Sequence, residues 1–270
     1  MAEIRYQDLD YQSLRYPEDV SLTAKLDSVP GFKKFMLETI CVLNEKFVGI
    51  QFAGNGLLVT EDSLPELYGK LKETCATLGV SDVPEFSLKW HYDISATTEG
   101  AAQPRITALS GAIDLLDDNE LKFILGHELG HQLCGHKPYH IFLESLYTPI
   151  INSIPGGEMW IALVRTTLVN WYRVSDYTAD RFGLLACQDI EVALRTMIKR
   201  AGIPKKYYDS INIKSFIKQA EEFDVMVAGN ASKFINYVSL NSACMPWMVA
   251  RAAKLMQWYK SAEYKKLINQ

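Results

Sequence analysis

Apolar residues recur every three to four positions over most of the chain, a spacing that predicts helices. The clearest run follows Asp117-Asp118-Asn119, where Leu121, Ile124, Leu125, Leu129 and Leu133 hold one face. The acidic residues cap its start, and Gly135 and Pro138 end it. A second long helix is predicted over Met159 to Ala186, with others near 189–201, 213–224, 232–241 and 246–268. Residues 1–83 also read as mostly helical, with a turn at Val29-Pro30-Gly31 and a loop at Ala53-Gly54-Asn55-Gly56. Within them Asp62, Ser63 and Pro65 start a helix running towards Leu78. Two segments break the helical period. Glu85 to Asp93 reads as a strand, and Arg105 to Leu109 as a second after a loop at Glu99 to Pro104. The pattern predicts an α+β, predominantly α-helical fold with a small β-sheet packed near the first long helix. No linker, repeat or low-complexity run divides the chain, so residues 1–270 read as one domain. Residues 1–83 form an N-terminal helical region, 84–201 the core and 202–270 the C-terminal helices.

Composition narrows the function classes. At 48% hydrophobic and 22% charged residues the chain is not a disordered tail protein. A net charge of −4 with no basic block gives no electrostatic reason to expect nucleic-acid binding. The most apolar stretch, Met159 to Tyr172, is short and holds Arg165 and Asn170, whereas a membrane span needs about 20 apolar residues. The first twenty residues are polar and acidic and lack the apolar segment of a signal peptide. Five cysteines are scattered without a Cys-x-x-Cys pair, which argues against a disulfide framework or a cysteine zinc ribbon. The expectation is a soluble, cytoplasmic protein with no integral membrane segment.

Of five histidines, four fall between His127 and His140. They open with H-E-x-x-H: His127, Glu128 and His131. On a helix, positions i and i+4 share a face, so the two imidazoles converge on one ion while Glu128 can act on bound water. Leu125, Leu129 and Leu133 flank the motif, and Gly126 and Gly130 suit close approach of neighbouring backbone. A third ligand is needed. The metzincin pattern fails, because Cys134 and Lys137 stand where glycine and histidine are required. His136 lies beyond the helix terminator and reads as a helix-end or structural histidine. His140 is a still weaker ligand candidate, and His91 reads as packed or capping. On the second long helix, Asp176 and Asp180 are four apart and share a face. Asp176 could reach the ion, and Asp180 could accept the free N–H of a ligating histidine.

The chain resembles the soluble branch of the CaaX prenyl protease and HtpX-like metallopeptidases, gluzincins of peptidase family M48. These combine G-H-E-x-G-H with a downstream E-x-x-x-D. The resemblance extends to Ser110-Gly111, Ile113 to Leu121, Leu14 to Asp19, Val29 to Phe32, Asp180 to Leu185, Pro246 to Arg251, and Trp258 with Glu263-Tyr264. It implies a zincin-like (minigluzincin) core, one zinc ion per chain on His127 and His131, Glu128 as general base, and Asp180 behind the ligands. The family's third ligand is a glutamate, and here that position is Asp176, about 1.5 Å shorter in reach. The family also commonly carries His-Pro with an arginine six residues after the histidine. Here the run is Met245-Pro246 to Arg251, and Met245 cannot donate a hydrogen bond. Tyr177 and Arg251 are the candidates to stabilise the transition state in its place.

The leading expectation is therefore a zinc-dependent endopeptidase acting on peptides or unfolded proteins. The substrate would lie extended along the strands, with Asp93 to Ala102 as the rim of the site. The departures at Asp176 and Met245 motivate an alternative, a zinc-holding regulatory module that binds peptides with weak or no catalysis.

Overall fold

In the computed structural model, helices form where local capping and burial agree. The structure describes residues 4–147, 151, 153–154, 156–228 and 247–268. Helix α1 spans Pro17–Asp27, α2 Phe32–Phe35 and α3 Val42–Asn55, with a π-helical turn Met36–Cys41 between the last two. Strand β1 (Leu57–Val59) and helix α4 (Pro65–Thr77) follow. Next come β2 (Glu85–Lys89), β3 (Ala96–Glu99), β4 (Arg105–Leu109) and α5 (Ser110–Leu115). Helix α6 (Asp118–Leu133) is fixed at its start by a reciprocal cap. Asp117 accepts from the amides of Asn119 and Glu120, and the Glu120 side chain accepts from the Asp117 amide. Beyond it lie α7 (Lys137–Ser145), α8 (Gly157–Cys187) and α9 (Ile190–Arg200). A 3₁₀ turn (Lys205–Ser210) leads to α10 (Ile213–Ala228), α11 (Met248–Tyr259) and α12 (Ala262–Leu267).

The fold is thus mostly helical with one four-stranded sheet in the order β1-β2-β4-β3. Strand β2 runs parallel to β4, while β1 and β3 are antiparallel edge strands. Two apolar clusters result. One joins the sheet, α4, α6, the C-terminal half of α8 and the C-terminal helices; the other joins α1 and α2, the π-helical turn, α7 and the N-terminal half of α8. Helices α6 and α8 cross closely at glycines. A Cβ on Gly126 would stand 2.4 Å from the Ala186 Cβ, and one on Gly130 2.8 Å from the Phe182 Cβ. No side chain fits there, so the helix axes approach as backbone on backbone.

Several boundaries differ from expectation. Strand β2 stops at Lys89 because the chain turns outward: Trp90, His91 and Tyr92 are exposed, and His91 pairs with Asp93. Strand β3 lies within Asp93 to Ala102, the segment expected as the rim, and ends at Glu99, where the expected loop begins. Pro138 does not follow a helix but starts α7, at a first-turn position where its missing N–H costs nothing. The expected helix over 246–268 is broken at Lys260-Ser261, where the Ser261 hydroxyl caps α12. The helix expected over 232–241 lies outside the described residues. Among the described residues no helix is long and apolar enough to cross a membrane.

Candidate metal centre

Helix α6 carries His127 and His131 one turn apart, with their Nε2 atoms 3.2 Å from each other. Asp176, on α8, brings Oδ1 to 3.3 Å from His131 Nε2. Ligand atoms of His127, His131 and Asp176 lie within 4.8 Å of one another, and all three residues are buried. Two imidazoles and a carboxylate converging in this way could hold a metal ion. The glycine seam between α6 and α8 supplies the close approach that an aspartate, shorter than a glutamate, requires.

Each histidine is oriented from behind, by different means. His127 Nδ1 lies 3.0 Å from Asp180 Oδ1, so its N–H donates to that carboxylate and Nε2 faces the centre as an acceptor. His131 Nδ1 lies 3.0 Å from His136 Nδ1, and His136 Nε2 lies 3.0 Å from Asp19 Oδ2. One tautomer set satisfies this chain: His131 donates from Nδ1, His136 accepts at Nδ1 and donates from Nε2 to Asp19. Asp19, on α1, is fully buried. It also accepts from Arg15, from Trp171 Nε1 at 2.9 Å and from the Thr178 hydroxyl at 2.7 Å.

Arg251, on α11, is fully buried behind the carboxylates. Its Nε donates to Asp180 Oδ2 at 2.8 Å and its Nη1 to Asp176 Oδ2 at 3.3 Å. Its guanidinium is therefore committed to clamping the two aspartates. Burial alone would raise both carboxyls, but the Arg251 charge, helped by the hydrogen-bonded histidines, outweighs it and lowers both, Asp176 well below the usual carboxylate range. Burial, reinforced by Arg251, pushes His127 down and keeps it neutral, the state a metal ligand needs.

Glu128 is fixed by the edge strand. Its Oε2 accepts from the Thr98 amide at 2.6 Å and the Thr98 hydroxyl at 3.0 Å. Tyr177 packs its ring edge-on against Tyr16, and burial raises its phenol to about 12. Among the described residues its hydroxyl makes no hydrogen bond to the cluster. Met245 lies outside the described residues. Sequence reasoning missed Asp19, Thr98 and the orienting part of His136. A polar residue at the start of a helix or inside a short strand gives no local sign of a partner many residues away.

A family model described as Peptidase family M48 matches residues 66–258. The Arabidopsis thaliana protein named plastoglobule-localized metallopeptidase 48, chloroplastic, is 28% identical over 265 residues, covering 97% of this chain and 77% of the relative. No solved structure matches the chain.

Proposed function

Because the chain belongs to peptidase family M48 and is a metalloprotease, we propose that it is a zinc-dependent endopeptidase with His127, His131 and Asp176 as the metal ligands. The observation that carries this reading is the convergence of those three buried side chains beside a Glu128 already held in place by Thr98. Zinc, when bound, polarises the scissile carbonyl and makes water acidic enough to be used near neutral pH. The protein's own residues do the rest. With Oε2 engaged by Thr98, Glu128 takes the proton of the attacking water on Oε1 and passes it to the departing amine. Asp180, and His136 with Asp19, hold the two imidazoles in the tautomer that faces the centre. Arg251 keeps Asp176 and Asp180 ionised.

The substrate is a peptide or an unfolded segment of protein, added as a further strand along the open edge of β3. The supporting feature is that the strand exposing that edge also holds the general base. In this reading the chain works as one catalytic domain over residues 1–270, built on a zincin-like core with the sheet against α6. A reducing compartment such as the cytoplasm fits the unpaired Cys41, Cys75, Cys134 and Cys187. The relative's name places that protein in the chloroplast, and cell fractionation decides between the two.

Nothing favours the alternative of a zinc-holding module without catalysis. Asp176 stands within reach of the centre, and Met245 lies outside the described residues. The test compares cleavage of a peptide library by wild type and Glu128→Gln, both loaded with zinc. Loss of roughly a hundredfold or more in kcat is expected for removal of a general base. Equal activity of the two would overturn the mechanism.

A further inference from the structure

A cavity of about 250 Å³ opens beside the sheet. One wall is the connection from β2 to β3, at Tyr92, Asp93 and Ile94; the other is the end of α9 with Arg200 and the following turn with Lys205 and Tyr208. Of its four charged residues, Asp93, Lys199, Arg200 and Lys205, two have side-chain partners. Lys199 is bound by Glu120 at 2.6 Å and by the Leu115 carbonyl at 3.2 Å, and Asp93 pairs with His91 at 3.2 Å. Arg200 is different. Its Nη1 is buried and has no hydrogen-bond partner among the described residues. A buried charged donor left unmade is unfavourable by about 1–3 kcal/mol or more, and Arg200 itself is part of the cavity wall, where an acceptor on a ligand can engage the guanidinium.

The cavity's place relative to the catalytic residues defines that ligand. Ile94 precedes Thr98, which holds Glu128, by four residues, and leads through a bend into β3 at Ala96. A peptide paired along β3 and continued beyond Ala96 therefore approaches the cavity from the strand that holds Glu128. Arg200 lies near enough to the metal centre to feel the charge of Arg251 and, with opposite sign, those of Asp176, Asp180 and Glu128. Burial lowers its pKa to about 10, and it remains a cation at neutral pH. A planar guanidinium at the wall of an open cavity matches one partner best, a carboxylate taking two parallel N–H bonds.

We propose that this cavity is a substrate subsite that accepts a carboxylate, with Arg200 as its specificity-determining residue. The proposal rests on the peptidase reading above. It commits to the carboxylate; an acidic side chain and a free C-terminus are its two sources, and the experiment separates them.

The experiment uses quenched fluorescent peptides that differ only by Glu or Gln at each of the four positions on either side of the cleaved bond. A second pair differs by a free or amidated C-terminus. Wild type is expected to prefer the carboxylate at one position by about ten- to a hundredfold in kcat/KM, the range of a charge-assisted hydrogen bond. Arg200→Gln should bring that ratio towards one, through a loss on the Glu peptide at least about tenfold larger than on the Gln peptide. Arg200→Lys should recover part of it. In the Glu128→Gln background, fluorescence anisotropy should give the same discrimination as binding, without turnover. If preference follows only the free C-terminus, the carboxylate is that of the chain end. Equal kcat/KM for acid and amide at every position in wild type overturns the proposal, and that comparison needs no variant to fold. Equal loss on both peptides in Arg200→Gln overturns it too, since that pattern belongs to a general role. Failure of the peptidase reading would look different: no peptide would be cleaved in a Glu128-dependent way.

Discussion

The two histidines of α6 face the same centre but are supported in opposite ways. Behind His127 stands a carboxylate in direct contact, Asp180, itself gripped by Arg251. Behind His131 stands a second histidine, and only then a carboxylate, Asp19, from a helix more than a hundred residues earlier. The first support joins α6, α8 and α11; the second joins α6, the turn before α7, α1 and α8. Each ends on a buried aspartate whose charge is balanced by an arginine, Arg251 in one case and Arg15 in the other. A metal ligand's outer hydrogen bond can thus be supplied at one remove, provided the terminal charge is fully satisfied. The arrangement also binds the N-terminal helix into the site.

The largest effect that would break this comparison comes from the terminal charges. Arg251→Met leaves Asp176 and Asp180 buried without their cation, and a loss of about 3–5 kcal/mol in unfolding free energy is expected by denaturant titration. A smaller change tests the helix seam. Gly126→Ala puts a methyl group against Ala186 and should cost about 1–3 kcal/mol, with weaker metal binding because α8 is pushed back. The supports themselves are compared by His136→Asn and Asp180→Asn. Each should lower zinc affinity by about 10- to 100-fold in competition with a chelator. If only Asp180→Asn does so, the route through His136 to Asp19 is packing and not support. The smallest effect concerns pH. Burial, together with nearby His131 and Lys137, holds His140 well below its ordinary range, and burial likewise lowers His136. Both are neutral when folded, while the unfolded chain takes up protons below about pH 6.5. Stability is therefore full above that value and lost as pH falls towards the folded pKa, by up to about 1.4 kcal/mol per pH unit for each histidine. The melting temperature of metal-free protein should fall between about pH 7.5 and 5.5, and His140→Gln should reduce that fall.

These contrasts also mark what the sequence could express. Signals confined to one helix were legible: the Asp117 cap of α6, the four-residue step between His127 and His131, and the four-residue step from Asp176 to Asp180. Each depends on neighbours within one or two turns. The strands β1 and β3 were not legible, because three or four residues are too few for an alternating pattern, and β3 is largely threonine and glutamate. Helix α7 was hidden because a proline reads equally as the end of one helix or the first turn of the next. The bonds from Thr98 to Glu128, from His136 to Asp19 and from Arg251 to Asp180 join residues 30, 117 and 71 positions apart. Only the packing of α1, the sheet and α11 around α6 and α8 brings them together. Arg251 was visible as a candidate, but its place behind the carboxylates follows from the fold alone.

Metal content tests the central claim, a metal centre built from His127, His131 and Asp176, most directly. Protein purified without chelator or added metal is analysed by elemental mass spectrometry, as wild type and as Asp176→Ala. The account predicts one zinc per wild-type chain and near-complete loss in Asp176→Ala, with folding of both checked by circular dichroism. Stoichiometric zinc retained by a folded Asp176→Ala, or none bound by wild type, would contradict it.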